Sequence, residues 1–87
     1  MTIHNRDIAA MFEEIADLLE LQGANMFRVR AYRAAAFNLN SLPQEVSDMV
    51  KNNEDLHTIP GIGEDLALKI KQALSMGKLP ALEKLKK

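Results

Sequence analysis

The stretch Thr58-Ile59-Pro60-Gly61-Ile62-Gly63-Glu64-Asp65-Leu66-Ala67-Leu68-Lys69-Ile70 limits the fold more than any other part of the chain. A proline and two glycines interrupt regular structure, and a helical pattern begins directly after them. Glycine tolerates positive φ and close approach by another backbone, so Gly61 and Gly63 permit a very tight turn. Ile59, Ile62, Leu66 and Ile70 supply apolar anchors that fix such a turn to a core. Free N–H groups at a helix start carry partial positive charge, and this turn can aim them at a phosphate. The alternative is an ordinary helix–helix connection with a glycine cap. Proline, glycines, flanking isoleucines and a downstream lysine occur together here, which favours phosphate-backbone binding.

The flanking sequence is helical throughout. Asn5 and Asp7 are N-cap candidates for a first helix, whose face is Ile8, Met11, Phe12, Ile15, Leu18, Leu19 and Gln22, with Gly23 as its stop. Glu13, Glu14, Asp17 and Glu20 lie on the other side and read as a solvated face. Asn25 is the next N-cap candidate. In the helix after it, Phe27, Ala31, Ala34, Ala35 and Leu39 are expected to face the core. Pro43 is expected in the first turn of a short helix through Gln44–Lys51 with Val46, Met49 and Val50 inward, broken by Asn52-Asn53. Glu54–Thr58 reads as one helical turn burying Leu56 and Ile59. A helix from about Glu64 to Met76 follows, with Leu66, Ile70, Ala73 and Leu74 inward and Gly77 as its C-cap. Pro80 opens the last helix. Period-two alternation is nowhere sustained. The expected fold is all-α: one compact domain over residues 1–87, with four to five helices and a helix-hairpin-helix motif at about 54–76.

Charge distribution says more than its sum. The net charge is −1, but acids are absent from Leu21 to Gln44, where Arg28, Arg30 and Arg33 stand. They are absent again from Leu66 to Leu82, where Lys69, Lys71 and Lys78 stand. Side by side, the two segments make one basic patch on an otherwise acidic chain. Arg28 and Tyr32 are four apart on one side of a helix and can hold a phosphate or stack a base; the alternative is a half-buried tyrosine beside a solvated arginine. With no cysteine there is no disulfide or thiolate metal site. Neither a signal peptide nor an apolar run of membrane-spanning length is legible, so a soluble, cytoplasmic protein is expected.

The order of these motifs carries a resemblance. Asn5-Arg6-Asp7-Ile8-Ala9 with Phe12, then Phe27-Arg28-Val29-Arg30-Ala31-Tyr32-Arg33-Ala34-Ala35, Leu42-Pro43, Ile59-Pro60-Gly61-Ile62-Gly63 and Gly77-Lys78-Leu79-Pro80-Ala81-Leu82 follow one another. In that sequence they resemble the amino-terminal helix-hairpin-helix, lyase-type domain of family X DNA polymerases. The bacterial and archaeal members are the most similar, and DNA polymerase beta carries such a domain too. The resemblance covers nearly the whole chain. It implies a DNA partner gripped by the backbone at gapped, nicked or 5′-phosphorylated ends during repair, by a monomer that is nucleoid-associated in a bacterium or archaeon.

The resemblance also implies residue roles. Gly61, Ile62, Gly63 and Asp65 of the hairpin, with Arg28, Arg30, Tyr32, Arg33, Lys69, Lys71 and Lys78, form the DNA-contacting set. The backbone carbonyls of His57, Ile59 and Ile62 are implied as ligands of a monovalent cation, Na+ or K+, bridging to phosphate. Lys69 occupies the place of the Schiff-base lysine of lyase-active relatives, which would make the chain a 5′-deoxyribose-phosphate lyase; a solvated helix lysine is the alternative. The sequence departs from those relatives at Asp65, which replaces a second lysine, at His57, which also replaces a lysine, and at Phe27, which replaces a histidine; Met26 takes the place of a proline common in the prokaryotic members. Polymerase chemistry does not carry over, because the adjacent acidic pairs Glu13-Glu14, Glu54-Asp55 and Glu64-Asp65 make no credible two-metal site. An excised domain and a stand-alone copy both fit, and the Lys84–Lys87 ending suits a helix or linker. A helical protein-interaction module is the remaining alternative.

Overall fold

The computed structural model describes residues 3–86. Met1, Thr2 and Lys87, which belong to the 1–87 domain reading and the Lys84–Lys87 ending, lie outside the described residues. Among the described residues there are five helices, α1 (Asn5–Leu21), α2 (Met26–Ser41), α3 (Val46–Lys51), α4 (Glu64–Met76) and α5 (Pro80–Lys86), with a 3₁₀ turn at Leu56–Thr58 before α4. No strand occurs among the described residues, as the absence of period-two patterning predicts.

α1 and α2 form an antiparallel pair joined by a short loop in which Gly23 takes φ +72°. α1 buries Ile8, Ala9, Phe12, Ile15, Ala16 and Leu19, and α2 answers with Val29, Tyr32, Ala35, Ala36 and Leu39. The Tyr32 ring meets the Phe12 ring edge-on, with centroids 5.5 Å apart and planes at 75°. That arrangement suits the ring quadrupoles and adds to the burial of both side chains.

Two caps differ from expectation. α1 is capped by His4, whose N–H donates to the Asp7 carboxylate at 2.8 Å. Asn5 lies inside the helix and is buried. Its amide donates to the Gln44 carbonyl at 2.8 Å, and its Oδ1 accepts the Val46 N–H at 2.8 Å. One buried amide thus satisfies the backbone at the start of α3, a stronger requirement than capping its own exposed helix end. Asn25 does cap α2, accepting the Phe27 N–H at 2.7 Å. Pro43 is not in the first turn of α3, which starts only at Val46; Glu45 is its N-cap.

The face of α2 is also rotated from the expected one. Phe27, Ala31 and Ala34 are exposed, whereas Val29, Tyr32 and Ala36 are inside. The packing of Tyr32 on Phe12 sets this phase, and the alanines follow it. α3 and the 3₁₀ turn pack with α4, burying Val46, Met49, Leu56, Leu66, Ala67, Ile70 and Ala73. α4 ends at Gly77 in the left-handed region, as expected of a glycine cap. α5 lies along α1, with Leu79 and Leu82 buried and Lys86 paired to Glu14 at 3.1 Å. Among the described residues no helix is long and apolar enough to cross a membrane.

Candidate functional site

The hairpin between the 3₁₀ turn and α4 is built from local interactions. Asp55 accepts the His57 N–H at 2.9 Å and is 2.7 Å from the His57 Nδ1, while the Thr58 hydroxyl donates to the Asp55 carbonyl at 2.8 Å. The His57 N–H and the imidazole beside it hold the Asp55 carboxyl below its ordinary range, with the charge of Lys71 adding to the effect. The Ile62 N–H then donates to the Ile59 carbonyl at 3.1 Å across Pro60-Gly61. With Pro60 at the second position and Gly61 at φ +81° in the third, this is a type II turn. Only Gly61 needs a glycine's φ. Gly63 sits at φ −90° and ψ −171°, open to any residue, and a side-chain carbon there would meet nothing within 4 Å. The side chains of Ile59 and Ile62 are buried, so the turn is anchored from below and leaves Pro60 and the backbone at Gly61 exposed.

α4 starts without a side-chain cap. The Ala67 N–H is the first to find a helical acceptor, the Gly63 carbonyl at 2.9 Å. Among the described residues, no acceptor serves the N–H groups of Gly63, Glu64, Asp65 and Leu66. The positive end of the helix therefore faces outward with its donors free. Glu64 and Asp65 place carboxylates in this first turn, where they complement the dipole. Asp65 turns back along the helix, and Lys69 Nζ donates to its Oδ1 at 2.8 Å. Burial pulls the Lys69 ammonium down, but the bond and charge of Asp65 and the nearby Tyr32 hydroxyl outweigh it. The net direction is up from an ordinary lysine.

α2 brings the second element to the hairpin. The Asn38 side-chain amide donates to the Pro60 carbonyl at 2.6 Å, and Tyr32, with its ring in the core, extends its hydroxyl towards Lys69. Arg28 precedes Tyr32 by one turn on the same flank and is exposed. Arg30, two residues on, projects to the opposite side of α2. Neither arginine is ion-paired among the described residues.

Two expected members do not join this group. Arg33 is held by Glu13 at 3.1 Å, Asp17 at 3.0 Å and Glu20 at 2.9 Å, all on α1. The bond to Asp17 leads the interactions that raise its pKa further. The acids expected as a solvated face are therefore a clamp between helices. Lys78 lies beyond the far end of α4, about 20 Å along the axis from the hairpin. Lys71 lies near Asp55, on the flank of α4 opposite Lys69. Tyr32, with its ring buried, is no free-standing stacking platform.

Sequence reasoning missed Asn38, because its partner is remote in the chain. It also missed Arg33's role, although Glu13, Asp17 and Glu20 at helical spacing were a signal for a cation opposite. For the implied cation, the carbonyls of His57 and Ile62 accept no hydrogen bond among the described residues, and that of Ile59 accepts one. These neutral, hard oxygens fit an alkali cation better than a transition metal. Among the described residues no cluster of His, Cys, Asp or Glu can hold a metal.

A family model described as a helix-hairpin-helix domain matches residues 3–79. The chain is also similar to the DNA polymerase/3′-5′ exonuclease PolX of Bacillus subtilis (strain 168), with 36% identity over 85 residues, 98% of this chain. The matched part is 14% of that protein's length.

Proposed function

This chain belongs to the helix-hairpin-helix domain family, and on that premise we propose that it binds DNA through the sugar-phosphate backbone without reading base sequence. The observation that carries this reading is the start of α4. After the type II turn at Pro60-Gly61, the N–H groups of Gly63, Glu64, Asp65 and Leu66 have no acceptor among the described residues, and the first three belong to exposed residues. Phosphate oxygens satisfy such donors, and the side chain absent at Gly63 lets a backbone come close. Arg28 and Lys69 on one flank and Lys71 on the other add cations around the same point, with Arg30 and Lys78 further out.

The similarity to PolX supports a place in a family X DNA polymerase, as the part that anchors DNA rather than the part that extends it. Gapped, nicked or 5′-phosphorylated DNA is the preferred form in this proposal. A terminal phosphate carries more charge than an internal one, and the cations of Arg28 and Lys69 favour it accordingly. The carbonyls of His57, Ile59 and Ile62 would hold a Na+ or K+ ion, which supplies positive charge towards phosphate when bound. Lys69 serves as a phosphate contact, since its ammonium keeps its proton.

Fluorescence anisotropy with gapped 5′-phosphorylated DNA tests the proposal. Three or so phosphate contacts imply a loss of roughly 10- to 100-fold in affinity for a fourfold rise in salt. Affinity that ignores salt, or the absence of binding at low salt, refutes it.

A further inference from the structure

Asn38 touches the hairpin at the one place where its conformation is decided. A type II turn differs from a type I turn mainly by a flip of the central peptide, here the plane joining Pro60 to Gly61. The Asn38 amide donates to the carbonyl of that peptide at 2.6 Å. A side-chain carbon built on Gly61 would lie 3.2 Å from the same amide nitrogen, so Asn38 sits directly against the turn. The described residues contain no cis peptide, and in a planar trans peptide the N–H points opposite to the C=O. With the Pro60 carbonyl directed at α2, the Gly61 N–H points away from α2, where it has no acceptor among the described residues.

We propose that Asn38 is a positioning residue for phosphate binding: by holding the Pro60 carbonyl it fixes the Pro60–Gly61 peptide in one orientation and keeps the Gly61 N–H turned outward as a further backbone donor. The inference rests on the DNA-backbone reading above. It adds a residue of α2, remote in sequence from the hairpin, that acts on the ligand only through the turn. Without Asn38 the peptide is free to flip, because Pro60 and Gly61 both suit more than one turn type.

Two variants test the proposal. Asn38→Ala removes the donor. Asn38→Asp keeps the shape but places an acceptor-only carboxylate against the Pro60 carbonyl. The peptide orientation is read without DNA, from the Gly61 amide linewidth and its N–H to Hα coupling. Affinity for gapped 5′-phosphorylated DNA and the melting temperature are measured alongside. Both variants are expected to broaden or shift Gly61 and to bind about three- to tenfold more weakly, the change that one hydrogen bond commands. Asn38→Asp should be the weaker binder. A folded Asn38→Asp protein with parental Gly61 signals and parental affinity overturns the proposal. So does weaker binding with an unchanged Gly61 signal, since it would place Asn38 in direct contact with DNA. If the parent binds no DNA, the functional reading above fails, while the Gly61 measurements still decide whether Asn38 locks the turn.

Discussion

Asp65 Oδ1 lies 2.8 Å from Lys69 Nζ, and the pair is lopsided: the lysine side chain is 15% exposed and the aspartate 72%. The lysine is therefore a fixed, half-sheltered charge, while the carboxylate stands in the solvent where a phosphate would arrive. Asp65 also sits beside the free donors of the α4 start. It neutralises the cation and, on the proposed reading, would repel the phosphate that the rest of the site is to attract.

Replacing Asp65 should strengthen DNA binding. Asp65→Asn is expected to tighten binding about three- to tenfold at low salt, with the gain shrinking as salt rises. The same change weakens the helix, since an exposed ion pair four residues apart contributes about 0.3–0.5 kcal/mol. Anisotropy titrations and a thermal melt check both effects. Weaker binding by Asp65→Asn would show that the carboxylate contacts the ligand favourably.

The proton on Lys69 sets its chemistry. Its folded pKa lies above the ordinary lysine value of 10.5, despite burial, because Asp65 and Tyr32 favour the ammonium. With the folded value raised, the contribution to stability is fully present below about pH 10.5 and is lost as pH rises through the folded value. Schiff-base trapping on abasic DNA with borohydride should thus be weak at pH 7 and grow at alkaline pH. Asp65→Asn and Tyr32→Phe should each shift that growth to lower pH. Strong trapping at pH 7 that vanishes in Lys69→Ala would contradict this and make Lys69 a working nucleophile.

The three arginines of α2 should separate cleanly. Arg28→Ala is expected to weaken DNA binding about three- to tenfold and to flatten the salt dependence by about one contact. Arg30→Ala, on the other side of the helix, should do less. Arg33→Ala should change affinity by no more than about twofold yet lower the melting temperature, because it leaves Glu13, Asp17 and Glu20 repelling one another. Binding and melting curves for the three variants give the comparison.

Gly61 and Gly63 should fail in different ways. Gly61→Ala forces an L-residue to φ +81° and presses on Asn38, costing about 1–2 kcal/mol. Gly63→Ala fits the backbone and meets nothing, so the melting temperature should barely move. Its methyl group stands at the exposed start of α4, and DNA affinity should fall about threefold or more. Equal stability losses in the two variants would contradict the turn assignment.

Much of this fold was legible because its signals are local. Asn25 marks a helix start by its side-chain oxygen, Gly77 and Pro80 mark helix ends by their backbone, and Ile59-Pro60-Gly61-Ile62 specifies its turn in four residues. The face of α2 was not legible, since Ala31, Ala34, Ala35 and Ala36 carry no information about which side is buried. Tyr32 decides it by packing on Phe12, a contact made between helices. The site divides the same way. The free donors of α4 follow from the glycine turn, whereas Asn38 on Pro60 and Arg33 among the α1 acids depend on how α2 is seated.

The most direct test is an amide-shift titration with gapped 5′-phosphorylated DNA, at low salt and again at elevated salt. At low salt, changes should centre on Gly61 to Leu66 and extend to Arg28 and Lys69, leaving the acidic face of α1 unmoved. At elevated salt the same changes should need far more DNA. Shifts confined to Ile8–Leu19, or spread evenly over the chain with the α4 start silent, would contradict a DNA-backbone grip at the hairpin.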